Sequence, residues 1–413
     1  MISGWRIRFR AVSKSPLVLL RGHKSPHLLR ALTQLSPTSF DPKSRVLFVL
    51  SWRFLWSFVR FLKLTRRPQQ AATLAFLRAA DTRVICTMEN YDKIIEQPLG
   101  LRWSSLIRRY LPHIHFVKVQ HGQDLRRNPA GAKTGEVLAV WGQFSADWFP
   151  TFGRTESHFV VTGALQDSRY RSLVAGASIQ EKWDYCIVST VKSQEWWGPV
   201  LTTRRSGYEK LMSFVAASTG QSTLAIALTV DRFTIDGENQ AQLEREYFLN
   251  HFGDRCHFPE VEETFGGVFK PEHTLASPTS HKERFSSYAL TDASRVTIGA
   301  TGSVLWEAFG RGNRILAVNL TDDPAYDFPI PGPWSMRQPS IDQFAERLQW
   351  ITDLSDDQYS TMSNDAARYL MHYEVEDPPE MRLQRLVASL LENESLATAK
   401  EVWNRNEDSG MKS

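Results

Sequence analysis

Several common chemical signatures are missing from this sequence. Three cysteines stand in 413 residues, Cys86, Cys186 and Cys256, with no C-x-x-C pair. This excludes a disulfide-framed secreted domain and a cysteine-ligated zinc site, and fits a reducing cytoplasm. There is no D-x-D and no H-E-x-x-H. Asp322-Asp323 precedes Pro324, which suits a turn better than a metal. No metal and no cofactor is expected. G-x-G-x-x-G is absent, which argues against a dinucleotide enzyme. Gly302-Ser303 has no second glycine two residues on, so a hydrolase elbow is excluded. Neither an internal repeat nor a low-complexity tract is found. A secretory signal, with its apolar core and small-residue cleavage site, is not recognisable. Nor is a spanning helix, because Arg53, Arg60 and Lys63 interrupt the most apolar stretch, Val46 to Leu64.

Acid is scarce at one end. Residues 1–67 hold 14 Lys/Arg and a single acid, Asp41, out of 49 basic and 45 acidic residues in the chain. A cationic block against an acidic body points to an anionic surface, lipid before nucleic acid, and nucleic acid is not an expected partner. The Val46–Leu64 stretch mixes its cations with Phe48, Trp52, Phe54, Trp56, Phe58 and Phe61. Two readings fit: a helix lying on a membrane, or a core helix with snorkelling arginines.

The chain length suggests two or three domains. Hydrophobic residues at 42% and charged residues at 23% are ordinary globular values. Residues 1–44 read as a loosely ordered basic leader. Residues 45–172 alternate short apolar strands (83–88, 115–119, 137–141, 159–162) with helices (71–80, 101–111, 145–152). After a linker at 173–183 the alternation resumes over 184–375, with strands at 185–189, 223–229 and 268–270. Residues 376–413 read as a C-terminal helix and a disordered tail. This is an α/β chain: two Rossmann-like domains with parallel sheets facing a central cleft.

The most informative stretch is Val296 to Val318. A buried strand, Val296–Ile298, runs into Gly299-Ala300-Thr301-Gly302-Ser303. A helix over 304–311 follows, with Leu305, Ala308 and Phe309 on one face, and Ile315–Val318 is a second strand. The small residues let a ligand approach backbone N–H groups at a helix N-terminus, where phosphate binds. Glu307, one turn beyond Ser303, could reach a ribose hydroxyl. An ordinary βαβ turn with a serine N-cap fits as well. Other loops follow other strands: Glu89, Asn90 and Asp92; Gln120 and His121; Asp167; Lys192; Lys270 and His273. A histidine between a strand end and Gly122 is suited to take a proton from a hydroxyl, or else to bond the backbone of its loop. Lys192, Lys270 and His273 offer positive charge to a diphosphate.

Four segments together resemble a family: VKVQHGQ (117–123), VVTGALQDSRY (160–170), FKPEH (269–273) and VTIGATGSVLWEAFGRG (296–312). They are similar to bacterial surface-carbohydrate, lipopolysaccharide and capsule biosynthesis glycosyltransferases of the GT-B fold, over roughly residues 80–350. The resemblance implies an acceptor-side domain carrying Gln120-His121-Gly122; Glu89, Asn90, Asp92 and Asp167, in loops that follow strands, are expected on the same side. It also implies a donor-side domain in which Lys270, His273, Thr301, Gly302, Ser303 and Glu307 hold the nucleotide; Lys192 is expected beside them from its place after a strand. Lys270-Pro271-Glu272-His273 departs from the family's Lys-Pro-His-Pro-like segment by a glutamate before the histidine and by lacking the second proline. The expected reaction is metal-independent transfer of a sugar from a CMP-, UDP- or GDP-linked donor to a carbohydrate or lipid-linked acceptor, with His121 as base. The expected place is the cytoplasm, peripheral on the inner face of the plasma membrane. Two alternatives are a CDP-polyol phosphotransferase of capsule or teichoic-acid type, and a non-catalytic nucleotide-binding member of a capsule assembly complex.

Overall fold

A computed structural model describes residues 6–7, 14–20, 25–40, 46–48, 51–88, 103–120, 122, 136–151, 158–176, 179–191, 202–228, 235–258 and 286–392. They form two compact units. One contains the described residues up to Ser168 and those from His372 onward; the other is drawn from Arg169–Met371.

The first unit is built on a parallel six-stranded sheet in the order β3-β2-β5-β6-β7-β8. Its strands are β2 (Leu17–Leu20), β3 (Thr38–Phe40), β5 (Val84–Thr87), β6 (His115–Val119), β7 (Val137–Val140) and β8 (His158–Val161). Two short strands, β1 (Arg6–Ile7) and β4 (Val46–Phe48), pair separately. Period-two alternation sends Val18, Ile85 and Phe116 to one face, against helices Trp52–Thr65 and Pro68–Ala79. Leu17, Leu19, Val84, Cys86, Val117 and Val119 go to the other face, against helices Ser25–Ala31 and Pro379–Glu392. With both faces covered, strands such as Val137–Val140 are apolar throughout.

The expected leader is therefore different in the structure. Leu17–Leu20 pairs with β5 and β3 inside the sheet. Four apolar residues between Lys14 and Arg21 are too short a run to identify as a strand until a neighbouring strand pairs with them. The C-terminal helix, expected to stand apart from the acceptor-side domain, fills this unit's core with Leu383, Leu386, Val387 and Leu390.

The second unit's sheet is also parallel, in the order β11-β10-β9-β12-β13-β14. It comprises β9 (Trp183–Val188), β10 (Leu224–Ala227), β11 (Cys256–His257), β12 (Ser294–Gly299), β13 (Ile315–Asn319) and β14 (Ser335–Arg337). Counted within the sheet this is 3-2-1-4-5-6, the order of the dinucleotide-binding Rossmann fold. Tyr208, Leu211, Met212 and Val215 of helix Thr203–Ser218, with Phe344, Leu348 and Ile351 of helix Ile341–Asp353, cover one face. Ser340–Gln343 and Ser355–Gln358 form reciprocal capping boxes that open the last two helices of this unit. The expected strand at 268–270 lies outside the described residues.

Candidate functional site

In an open parallel sheet, ligands bind beyond the strand C-termini at the point where the winding reverses. In the second unit that point lies between β9 and β12, which pair in parallel from Ser294↔Trp183 to Ile298↔Ile187. The chain leaves β9 through Ser189, Thr190 and Val191, and leaves β12 through Ala300, Thr301 and Gly302.

Gly302 has φ +155° and ψ 156°, a conformation essentially restricted to glycine. It is the N-cap of helix Ser303–Gly310 and supplies no side-chain cap, and no acid occupies the first turn. The serine-capped turn considered from sequence is not what forms. Ser303 is already the first helical residue, so the positive end of the helix meets a residue without a side chain. Among the described residues, a Cβ on Gly302 would approach only Val188 Cγ1, at 4.0 Å, so the demand for glycine here is conformational. Gly299 differs: a Cβ there would come within 3.3 Å of Val188 Cβ and 3.4 Å of Leu305 Cδ2. Leu305, Ala308 and Phe309 are fully buried, as their spacing predicts.

The turn rests on a buried polar frame. The Tyr208 hydroxyl donates to the Val188 carbonyl at 3.1 Å, and the Ser189 hydroxyl accepts from the Val191 N–H at 3.2 Å. Burial raises the Tyr208 pKa far above the ordinary phenol value, so it remains a donor. Glu307 is 4% exposed, and its carboxylate accepts from the Tyr288 hydroxyl at 2.6 Å. Arg311 lies over the rings of Tyr170 and Tyr288, 5.2 and 4.6 Å from their centroids, and donates to Asp292 at 2.8 Å and to Thr291 at 2.6 Å. Sequence reading singled out neither Tyr208 nor this Tyr288–Arg311–Asp292 group. Their only sequence signal is polar atoms on otherwise apolar segments, which says nothing of who meets whom.

In the first unit, Gln120 follows β6 and is 4% exposed. Its side-chain oxygen accepts from the Trp141 N–H at 2.9 Å, and its amide nitrogen donates to the Gly122 carbonyl at 3.1 Å. Its own carbonyl accepts from the Trp141 indole N–H at 3.1 Å. Gln120, expected on the acceptor side, thus ties the end of β6 to Trp141 and Gly122. Asp167 is 1% exposed in the first turn of helix Leu165–Val174. His121, Glu89, Asn90, Asp92, Lys192, Lys270 and His273 lie outside the described residues. Of the expected donor set, Thr301, Gly302, Ser303 and Glu307 share one turn and its helix. Among the described residues, no three His, Cys, Asp or Glu side chains group as a metal site would require.

No family model and no curated protein matches the chain. Solved structures with a similar fold do exist. Sucrose-phosphate synthase from Thermosynechococcus elongatus is 11% identical, with 91% of this chain and 99% of that one covered and a TM-score of 0.47. UDP-GlcNAc 2-epimerase from Methanocaldococcus jannaschii, in complex with UDP-GlcNAc and UDP, is 8% identical, with 90% and 99% covered and a TM-score of 0.49. The wall teichoic acid polymerase TagF is 9% identical, with 92% and 90% covered and a TM-score of 0.45. Likenesses this distant carry no argument about chemistry. The assignment of two Rossmann-like α/β units rests on the strand orders of this chain.

Proposed function

We propose that the chain is a GT-B-type glycosyltransferase that moves a sugar from a nucleotide-activated donor to a surface-polysaccharide or glycolipid acceptor. One observation carries the reading: Gly302, in a backbone conformation reserved for glycine, opens a helix at the point where a Rossmann-ordered sheet reverses its winding. A diphosphate is the ligand such a turn suits best.

In this reading the helix N-terminus after Gly302, with Lys192, Lys270 and His273, faces the donor phosphates. Glu307, held by Tyr288, sets the wall against which the nucleotide lies. His121 takes the proton of an acceptor hydroxyl, and that oxygen forms a bond to the anomeric carbon. The bond from that carbon to the phosphate oxygen breaks, and its electron pair leaves on the nucleotide. Positive potential from the helix end and the lysines stabilises the departing charge without a metal.

The test is a panel of CMP-, UDP- and GDP-linked sugars and CDP-glycerol, scored by thermal stabilisation and by turnover. A donor at a hundredfold its Kd adds about 2.7 kcal/mol to the folded state. Stabilisation by none of them overturns the reading. Turnover of CDP-glycerol alone replaces sugar transfer with polyol-phosphate transfer, and stabilisation without turnover across acceptors makes the chain a binding member of an assembly.

A further inference from the structure

Helix Trp52–Thr65 begins at an N-cap, Ser51, whose side chain accepts from the Phe54 N–H, and ends at Arg66 in the left-handed conformation. It turns Phe54, Ser57, Phe61 and Thr65 inward. Phe61 meets Tyr110 edge-on at 6.2 Å, and Phe54 stacks on Phe58 at 6.1 Å. At about 100° per residue, Trp52, Trp56, Val59 and Lys63 fall in one outward line, with Arg53, Arg60 and Leu64 beside it. The outward side of a helix in a globular protein is ordinarily polar. Here Trp52 is 83% exposed, Trp56 68%, Val59 50% and Leu64 51%.

The charge around these side chains has one sign. Residues 42–80 hold eight Lys/Arg and no Asp or Glu. Asp81 pairs with Arg53 at 3.1 Å, with both side chains about half exposed, and an ion pair so exposed offsets little. Arg60, Lys63 and Arg66 are exposed on the same helix and its cap. A symmetric pair of copies joined through this face would oppose these cations to themselves with no acid between them. A sheet of anionic headgroups is complementary: tryptophans sit at headgroup depth, and each Lys or Arg near such a surface is attracted to it.

We propose that this face docks on an anionic lipid bilayer, with Trp52 and Trp56 at the headgroup level and Arg60, Lys63 and Arg66 against the phosphates. The helix lies along the surface and does not cross it. Among the described residues no helix is long and apolar enough to span a membrane. The proposal is independent of the reaction assigned above.

The experiment is flotation of the full chain with vesicles of phosphatidylglycerol and phosphatidylcholine, and with phosphatidylcholine alone. The chain should float with the anionic vesicles at low salt, and salt should weaken the binding. W52S/W56S and R60E/K63E should each reduce it about tenfold or more. These are surface changes, so circular dichroism, melting temperature and stabilisation by a nucleotide donor should match the parent. Those controls separate failure here from failure of the transferase reading. Absence of flotation at low salt, flotation of both variants at the parent's level, or equal salt-insensitive binding to neutral vesicles overturns the proposal. Self-association that W52S/W56S abolishes, without vesicle binding, would give the face to a second copy and also overturn it.

Discussion

The turn after β6 and the turn after β12 both end a buried parallel strand, and they are stabilised in opposite ways. Around Gln120, side-chain atoms do the fastening: the amide takes the Trp141 N–H and gives to the Gly122 carbonyl, and the Trp141 indole closes the loop. Gly302 itself has no side chain to cap the helix, and its conformation depends on the missing Cβ. The first device uses up local polar groups to tie Gln120 to Trp141 and Gly122. The second leaves a helix end without a side-chain cap. The two turns thus differ in where their polar groups are directed: inward among Gln120, Trp141 and Gly122 in one, and at an uncapped helix N-terminus in the other.

The largest test of this contrast is His121→Ala. If the fastened turn presents a base, turnover should fall by roughly 10²–10⁴ while donor affinity and melting temperature hold steady. The parent rate should rise with pH through a group near 6–7, since only neutral imidazole accepts a proton. A mutant that melts early yet keeps most of its turnover would make His121 part of the scaffold.

Gln120→Leu comes next. It strips the partner from the buried Trp141 N–H and from the Gly122 carbonyl, which should cost about 1–3 kcal/mol of stability. Donor affinity should not change. Equal stability in a denaturant titration would show that the amide does not fasten the turn.

Gly302→Val places a branched side chain where only glycine is at ease. Nucleotide affinity should fall at least tenfold, about 1.4 kcal/mol. Calorimetric titration giving the parent affinity would remove the donor from this turn and with it the contrast.

The smallest effect is on acid stability, and it belongs to the first unit alone. Burial pulls the Glu136 pKa up, but the hydrogen bond and charge of His115, at 3.1 Å, and the charge of Arg108 outweigh it and hold the carboxyl below its ordinary range. A depressed pKa contributes stability that is complete above the unfolded-state value and lost as pH falls through the folded one. Glu136→Gln should therefore lower the melting temperature near neutrality, and the gap should close in acid. A gap that stays constant down to acid pH would show that the His115 pair does not couple to folding.

Much of the architecture was legible because both sheets are covered on two faces. Val137–Val140 and Ile315–Asn319 are buried along their whole length, so their sequences read as continuous apolar runs. Leu17, Val18 and Leu19 are just as buried, but their strand is four residues long between basic flanks, and only pairing reveals it. Ser335–Arg337 was missed for a related reason. It is a three-residue edge strand of mixed polarity, and its place depends on β13. In the candidate site, the glycines and the turn could be read from spacing. The partners of Glu307 could not, since Tyr288 lies 19 residues away and no local pattern links the two.

The way the first unit is assembled has a consequence for synthesis. Leu383, Leu386 and Leu390 complete the core that Leu17, Leu19 and Leu28 begin, Gln384 donates to the Ala31 carbonyl at 2.7 Å, and Arg83 donates to the Leu391 carbonyl at 3.0 Å. The second unit is encoded almost without interruption between these pieces. A ribosome therefore releases everything the second unit needs while the first still lacks a wall, and the earlier-made half must wait for the later-made one. A premature stop near residue 372 would then do more than shorten the protein. It would leave the first-translated sheet with an open apolar face, a target for chaperones and proteases.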